Sequence, residues 1–219
     1  MEQYNDLFIN TPENLEKYLK AATVVSILGG TKSEKDAEII GRDVAEAGYS
    51  IRTGGYAMGA MKGGLIGGSE GLKQKSDDGM IKQKVEGVTA ADFRPIEFAT
   101  KGENISTRVA DDPYERLKIL IRDADIVVVT EGSIGTELEI YASFAFEAEL
   151  EIAKDGKTEK PIIFVGENVK EKVLSIPKFA EYIKQSANII FVNTVNEVLA
   201  NVDGLFEKLK DKKRVDVGM

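Results

Sequence analysis

The chain has 219 residues, 42% hydrophobic and 30% charged, enough for one globular domain over residues 1–219. Its net charge of −8 and pI near 4.9 argue against a nucleic-acid backbone as partner. With no cysteine and no histidine, thiol catalysis, Ser-His-Asp triads, disulfides and zinc sites built from the usual ligands are excluded. No apolar run approaches a membrane span, and Met1-Glu2-Gln3-Tyr4-Asn5-Asp6 is unlike a signal peptide. A cytoplasmic protein with no membrane partner is expected.

Taken in order, Thr11-Pro12-Glu13 reads as an N-cap, a first-position proline and an acidic first turn, so a helix should run to about Lys20. Thr23 to Leu28 is the first apolar strand and ends at Gly29-Gly30-Thr31. Ser33 and Asp36 resemble a capping box, and Ala37, Ile40, Val44 and Ala47 follow helical spacing up to Gly48. Tyr49 to Arg52 is a second strand, running into the glycine turn Gly54-Gly55-Tyr56-Ala57-Met58-Gly59-Ala60-Met61. Gly63, Gly64, Gly67 and Gly68 would each weaken a helix by roughly 1 kcal/mol, so a helix there needs packing or a ligand to hold it. Residues 73–84 read as a polar excursion. Val85 to Thr89 and Ile96 to Ala99 read as strands, and Ser106 and Arg108 as loop.

Asp112-Pro113-Tyr114-Glu115 is a second capping signature, with a helix to about Asp123 feeding the strand Asp125 to Thr130. A long helix follows from Gly135 to about Ala153, with Ile140, Phe144 and Leu150 as core or dimer seam. Lys154 to Lys160 reads as loop, Pro161 to Val165 as strand, Pro177 to Ser186 as helix and Asn188 to Val192 as strand. A last helix begins near Val195, and its basic end, Lys208 to Arg214, reads as solvated. About seven strands alternating with helices predict an α/β fold. The sheet should be doubly wound and mostly parallel, with helices on both faces and ligands at the carboxyl ends of its strands.

The informative stretch is Ile126-Val127-Val128-Val129-Thr130-Glu131-Gly132-Ser133-Ile134-Gly135-Thr136-Glu137-Leu138-Glu139. A buried strand breaks on two glycines and restarts as a helix, which presents free N–H groups and a positive dipole end to an anion. A helix preceding a parallel strand starts near that strand's carboxyl end. Arg116 and Glu139 should therefore project at one edge of the sheet, near the Gly132–Gly135 turn. An arginine, a carboxylate and a phosphate cradle suit a phosphorylated substrate that develops positive charge, such as a nucleoside monophosphate losing its base.

These residues resemble the LOG family, cytokinin-activating nucleotide phosphoribohydrolases long mislabelled as lysine decarboxylases, within a wider Rossmann-like set. The family motif P-G-G-x-G-T-x-x-E stands here as Glu131 to Glu139. The family's upstream arginine falls on Arg116, with Asp125 nine residues on, and its G-G-x-x-G-x-M element is similar to Gly54 to Met61. Gly29-Gly30 matches the first-strand turn loosely. The resemblance implies Arg116 and Glu139 as the catalytic pair, and Gly132, Ser133, Gly135 and Thr136 as the phosphate cradle. Gly29, Gly30, Gly54, Gly55, Gly59 and Met61 would be further nucleotide contacts, although Gly54, Gly55 and Gly59 serve equally as turn-makers. It implies a homodimer acting on an AMP-like nucleotide or another phosphorylated ligand, with no cofactor and no metal.

Two departures matter. Glu131 replaces the motif proline, and Ser133 replaces a glycine. A like charge beside a phosphate costs on the order of 1 kcal/mol when partly buried, unless Glu131 points away. Two readings therefore stand: hydrolysis of the N-glycosidic bond of a nucleoside 5′-monophosphate, or a non-catalytic carrier or sensor for a nucleotide or molybdopterin-type ligand. No lysine is singled out for the Schiff base that a pyridoxal phosphate decarboxylase needs.

Overall fold

The protein is described as a computed structural model over residues 11–73, 82–92, 98–153 and 160–216. Among these residues the strands are β1 (Val24–Leu28), β2 (Ser50–Thr53), β3 (Val85–Ala90), β4 (Ile105–Ala110), β5 (Ile126–Val129), β6 (Ile162–Val165) and β7 (Ile189–Val192). They form one parallel sheet in the order β4-β3-β2-β1-β5-β6-β7. The helices are α1 (Pro12–Ala22), α2 (Glu34–Glu46), α3 (Gly59–Lys73), α4 (Pro113–Leu117), α5 (Ile134–Ala153), α6 (Glu167–Leu174), α7 (Pro177–Gln185) and α8 (Val198–Asp216). This is a Rossmann-like α/β architecture.

Alternation along the central strands divides the core in two, because successive side chains leave a strand on opposite faces. Val25 and Ile27 of β1 join Ile126 and Val128 of β5 in one cluster, under Ile40, Tyr49 and Phe206. Leu28, Val127 and Val129 join the other, with Ile119, Phe144 and Phe164. All of β5 is buried, as its unbroken β-branched run predicts for a strand covered on both faces. Ile140 and Phe144 belong to this core, and the Leu150 side chain lies outside the described residues.

The glycine-rich α3 is held by packing. A Cβ on Gly63 would stand 1.9 Å from the Glu34 carbonyl oxygen, on Gly67 1.9 Å from that of Glu38, and on Gly71 2.5 Å from that of Arg42. Glycines four apart on α3 thus lie against carbonyls four apart on α2. The two backbones touch, which only glycine permits.

Several expectations need correction. The Ser33–Asp36 capping box does not form, because the Ser33 hydroxyl donates instead to the Glu131 carbonyl at 2.7 Å and a 3₁₀ turn, Thr31–Ser33, precedes α2. The edge strand is β4 rather than Ile96 to Ala99. Of the latter span, residues 96–97 lie outside the described residues, and Ala99 makes an isolated antiparallel bridge to Tyr56. Ser106 and Arg108 are therefore strand residues, and the Ser106 hydroxyl donates to the Val85 carbonyl at 3.1 Å. α6 has no counterpart in the sequence reading. The helix end at 208–214 is not simply solvated: Lys213 Nζ pairs with Asp125 Oδ1 at 2.8 Å, with the two side chains 14% and 22% exposed. Asp125 Oδ2 in turn accepts from the Val24 N–H at 2.8 Å, so this aspartate ties α8 to the start of β1. Residues 74–81, within the expected polar excursion, and 154–159, within the expected loop, lie outside the described residues.

Candidate functional site

Strand order reverses at β1, with β2 on one side and β5 on the other. In an open parallel sheet that reversal opens a crevice beyond the strands' carboxyl ends, where ligands bind. The turns after β1 and β5 meet there. The Gly30 N–H donates to the Glu131 carbonyl at 2.9 Å, the same oxygen that accepts from Ser33. A Cβ on Gly30 would lie 2.6 Å from Gly132 Cα, on Gly29 1.9 Å from Thr130 Oγ1, and on Gly132 1.9 Å from Thr136 Oγ1. Close protein contact, within the β5 turn and between it and the β1 turn, therefore accounts for these three glycines without a ligand. Gly135 differs. Beyond its chain neighbours and its own helix backbone, no atom of the described residues lies within 4 Å of where its Cβ would be, so the backbone is open to close approach. It sits in the first turn of α5, whose leading N–H groups have no acceptor within the helix.

The turn after β2 completes the floor. The Ala60 N–H donates to the Gly30 carbonyl at 3.0 Å, and Gly59 takes φ +54° where a Cβ would stand 2.6 Å from that same oxygen. Gly55 has φ +83°. The segment after residue 97 clamps this turn from outside, with the Ala57 N–H on the Phe98 carbonyl at 2.9 Å and the Thr100 N–H on the Gly55 carbonyl at 2.8 Å.

Arg116 reaches this floor from α4. Its Nε donates to the Val88 carbonyl at 2.9 Å and its Nη2 to the Gly54 carbonyl at 3.0 Å, while Cζ lies 5.6 Å from the centre of the buried Tyr56 ring. Gly54 makes room for it, because a Cβ there would be 2.2 Å from Arg116 Nη2 and 2.3 Å from Met61 Sδ. Met61 thus serves as a neighbour of the arginine, its sulfur 3.5 Å from Nη2. Glu139, one turn into α5, is partly buried. Burial pushes its carboxyl up to about 7, and the Arg116 charge partly holds it down. Burial likewise pushes the Arg116 guanidinium below its ordinary value, and Glu139 opposes that. The two feel each other's charge, yet among the described residues they make no direct ion pair. The guanidinium is held by neutral carbonyls and keeps spare donors for an anion.

No family model matches the chain, and no curated protein does. Solved structures do. The molybdenum cofactor binding protein from Rippkaea orientalis aligns with a TM-score of 0.62 at 14% identity, over 84% of this chain and 96% of that one. The molybdenum cofactor carrier protein from Chlamydomonas reinhardtii aligns with a TM-score of 0.60 at 16% identity, over 84% of this chain and 98% of that one. This chain shares their fold. At such identities the likeness reaches the Rossmann-like architecture and stops there.

Beyond the β5 turn of this Rossmann-like sheet lie two clefts that sequence reasoning missed. A cleft of about 440 Å³ is lined by Asp36, Glu131, Glu167 and Asn193 among others. A smaller one is lined by Gly132, Thr136, Glu137, Asn168 and Lys172, and within it Lys172 is paired with Glu137. Both involve α6, too short and too charged to be legible beforehand. Glu131 belongs to both clefts, on the β6 side of the motif turn, whereas Arg116 is anchored on the β2 and β3 side.

Proposed function

We propose that the chain hydrolyses the N-glycosidic bond of a nucleoside 5′-monophosphate, releasing the base and ribose 5-phosphate. The observation that supports this most is the Arg116–Glu139 couple at the switch-point crevice. A protein that only holds an anion gains nothing from a half-desolvated carboxylate beside it, because like charges repel. The carboxylate becomes useful when the ligand develops positive charge. As the bond from C1′ to the base breaks, its electron pair leaves with the base and the sugar becomes cationic. Ionised Glu139 stabilises that cation and orients the water that adds to C1′, accepting its proton. Arg116, braced by the Val88 and Gly54 carbonyls, holds the substrate through its remaining donors. The open backbone at Gly135 and the first turn of α5 receive the 5′-phosphate.

A second reading is a non-catalytic carrier for a nucleotide or pterin-phosphate ligand. It is favoured by Glu131 and Ser133 within the motif and by the names of the structural neighbours, a cofactor binding protein and a cofactor carrier. The deciding experiment incubates purified protein with AMP and related monophosphates and assays free base and ribose 5-phosphate, with Glu139→Ala alongside. Release that disappears in the variant supports the hydrolase. Binding without release, lost when Gly135 is altered, supports the carrier.

A further inference from the structure

The chain does not run straight from α4 into β5. After Leu117 it makes one π-helical turn, Lys118–Arg122, and the Asp123 N–H reaches back five residues to the Lys118 carbonyl at 3.0 Å. In an α-helical continuation that N–H would bond the Ile119 carbonyl. The Ile119 carbonyl is taken from outside the helix instead. Arg52 of β2 donates to it from Nη1 at 2.9 Å, and to the Asp123 carbonyl at 3.3 Å. The other side of the same guanidinium is fixed: Nε donates to Glu86 Oε2 of β3 at 2.8 Å, with the side chains 12% and 20% exposed. A side chain inserted into the i→i−4 ladder is a physical cause of such a turn.

The turn has a geometric consequence. One extra residue rotates the segment before it by about 100° relative to the segment after it. Within the turn, the buried Ile119, Leu120 and Ile121 lock the chain into the core. Ahead of it stands Arg116, which must meet the Val88 and Gly54 carbonyls. Arg52 and Gly54 are two residues apart at the end of one strand. The same short segment therefore grips the π-turn and receives the arginine that the turn aims.

Taking Arg116 as a substrate-binding group, we infer that Arg52 is its positioning residue: anchored on Glu86, its guanidinium holds the π-turn and so directs Arg116 into the crevice. Among the described residues the Arg52 guanidinium donates to Glu86 and to the Ile119 and Asp123 carbonyls, none of them on the crevice floor. A lysine at this position could answer Glu86 or the helix carbonyls but not grip both, because it lacks the planar fork.

The test is a carboxyl NMR titration of Glu139 in the full chain, comparing wild type, Arg52→Met, Arg116→Met and the double variant, with urea unfolding measured on each. Misplacing Arg116 removes the charge that holds Glu139 down. Arg52→Met should therefore raise the Glu139 midpoint by roughly one pH unit, and Arg52→Lys should fall between it and wild type. In the Arg116→Met background, Arg52→Met should move the midpoint no further. If Arg52 were merely structural, Arg52→Met would lower the unfolding midpoint in both backgrounds and leave the Glu139 titration unmoved, which overturns the inference. A further rise in the Arg116→Met background overturns it as well. Should Arg52→Met not fold, Arg52→Gln is compared in the same two backgrounds and judged by the same outcomes. AMP binding is measured in parallel. A wild-type chain that binds no AMP sinks the proposed function, while the titration still decides the role of Arg52.

Discussion

Glu139→Gln replaces a carboxyl that titrates at about 7 with an amide of the same shape. A free glutamate titrates at 4.5, and the difference is already net of the attraction of Arg116. The ionised form is thus about 3 kcal/mol less favourable in the folded chain than in the unfolded one. The sign follows from proton binding. Because the folded value is raised, the folded state binds the proton more tightly than the unfolded state. The resulting stability is complete below the unfolded value and is lost as pH rises towards about 7. Glutamine carries no such dependence. The variant should therefore be more stable than wild type near pH 8, by up to about 3 kcal/mol, with the gap closing below about pH 4.5. Urea unfolding across this range, at constant m-value, reads the gap directly. A variant no more stable than wild type at high pH, or a gap that does not close on acidification, would refute the claim that Glu139 is held desolvated. The same substitution should lower ribose 5-phosphate release by at least about a hundredfold.

Three glycine substitutions separate packing from function. Gly54→Ala places a methyl on the side-chain ends of Arg116 and Met61, not on backbone. Urea unfolding should show a loss under about 1 kcal/mol, while ribose 5-phosphate release falls at least about tenfold because Arg116 is displaced. Gly63→Ala drives a methyl into the Glu34 carbonyl. It should cost about 2 kcal/mol by the same assay, despite roughly 1 kcal/mol of gained helix propensity. Gly135→Ala meets no atom of the described residues beyond its chain neighbours and its own helix backbone. Its unfolding midpoint should hold or rise slightly, while calorimetry shows AMP affinity lowered about tenfold or more, since the methyl occupies ligand space.

Most strands and helices were legible because their apolar residues keep the period of the element that buries them. β5 shows its double burial in four consecutive β-branched residues. β4 does not announce itself: Ser106, Thr107, Arg108 and Val109 are all exposed, so an edge strand carries neither alternation nor an apolar run. α6 buries only Val169 and Val173, a single helical step among charged residues. Within the site, sequence gave the right sheet edge for Arg116 and Glu139 from chain direction alone. It gave no means of telling which glycines serve packing. Gly29, Gly30 and Gly132 touch parts of the chain that only the fold brings near, and Gly135 is separated from them by the absence of any such neighbour. The π-turn was equally hidden, since its cause is an arginine on another strand.

The most direct test of the central claim is the pH dependence of ribose 5-phosphate release from AMP between about pH 5 and 9. If ionised Glu139 stabilises the departing sugar cation, the rate rises with pH through an inflection near 7, and the inflection vanishes with the activity in Glu139→Gln. A rate that falls or stays flat through that range, or one that survives Glu139→Gln, would contradict the account.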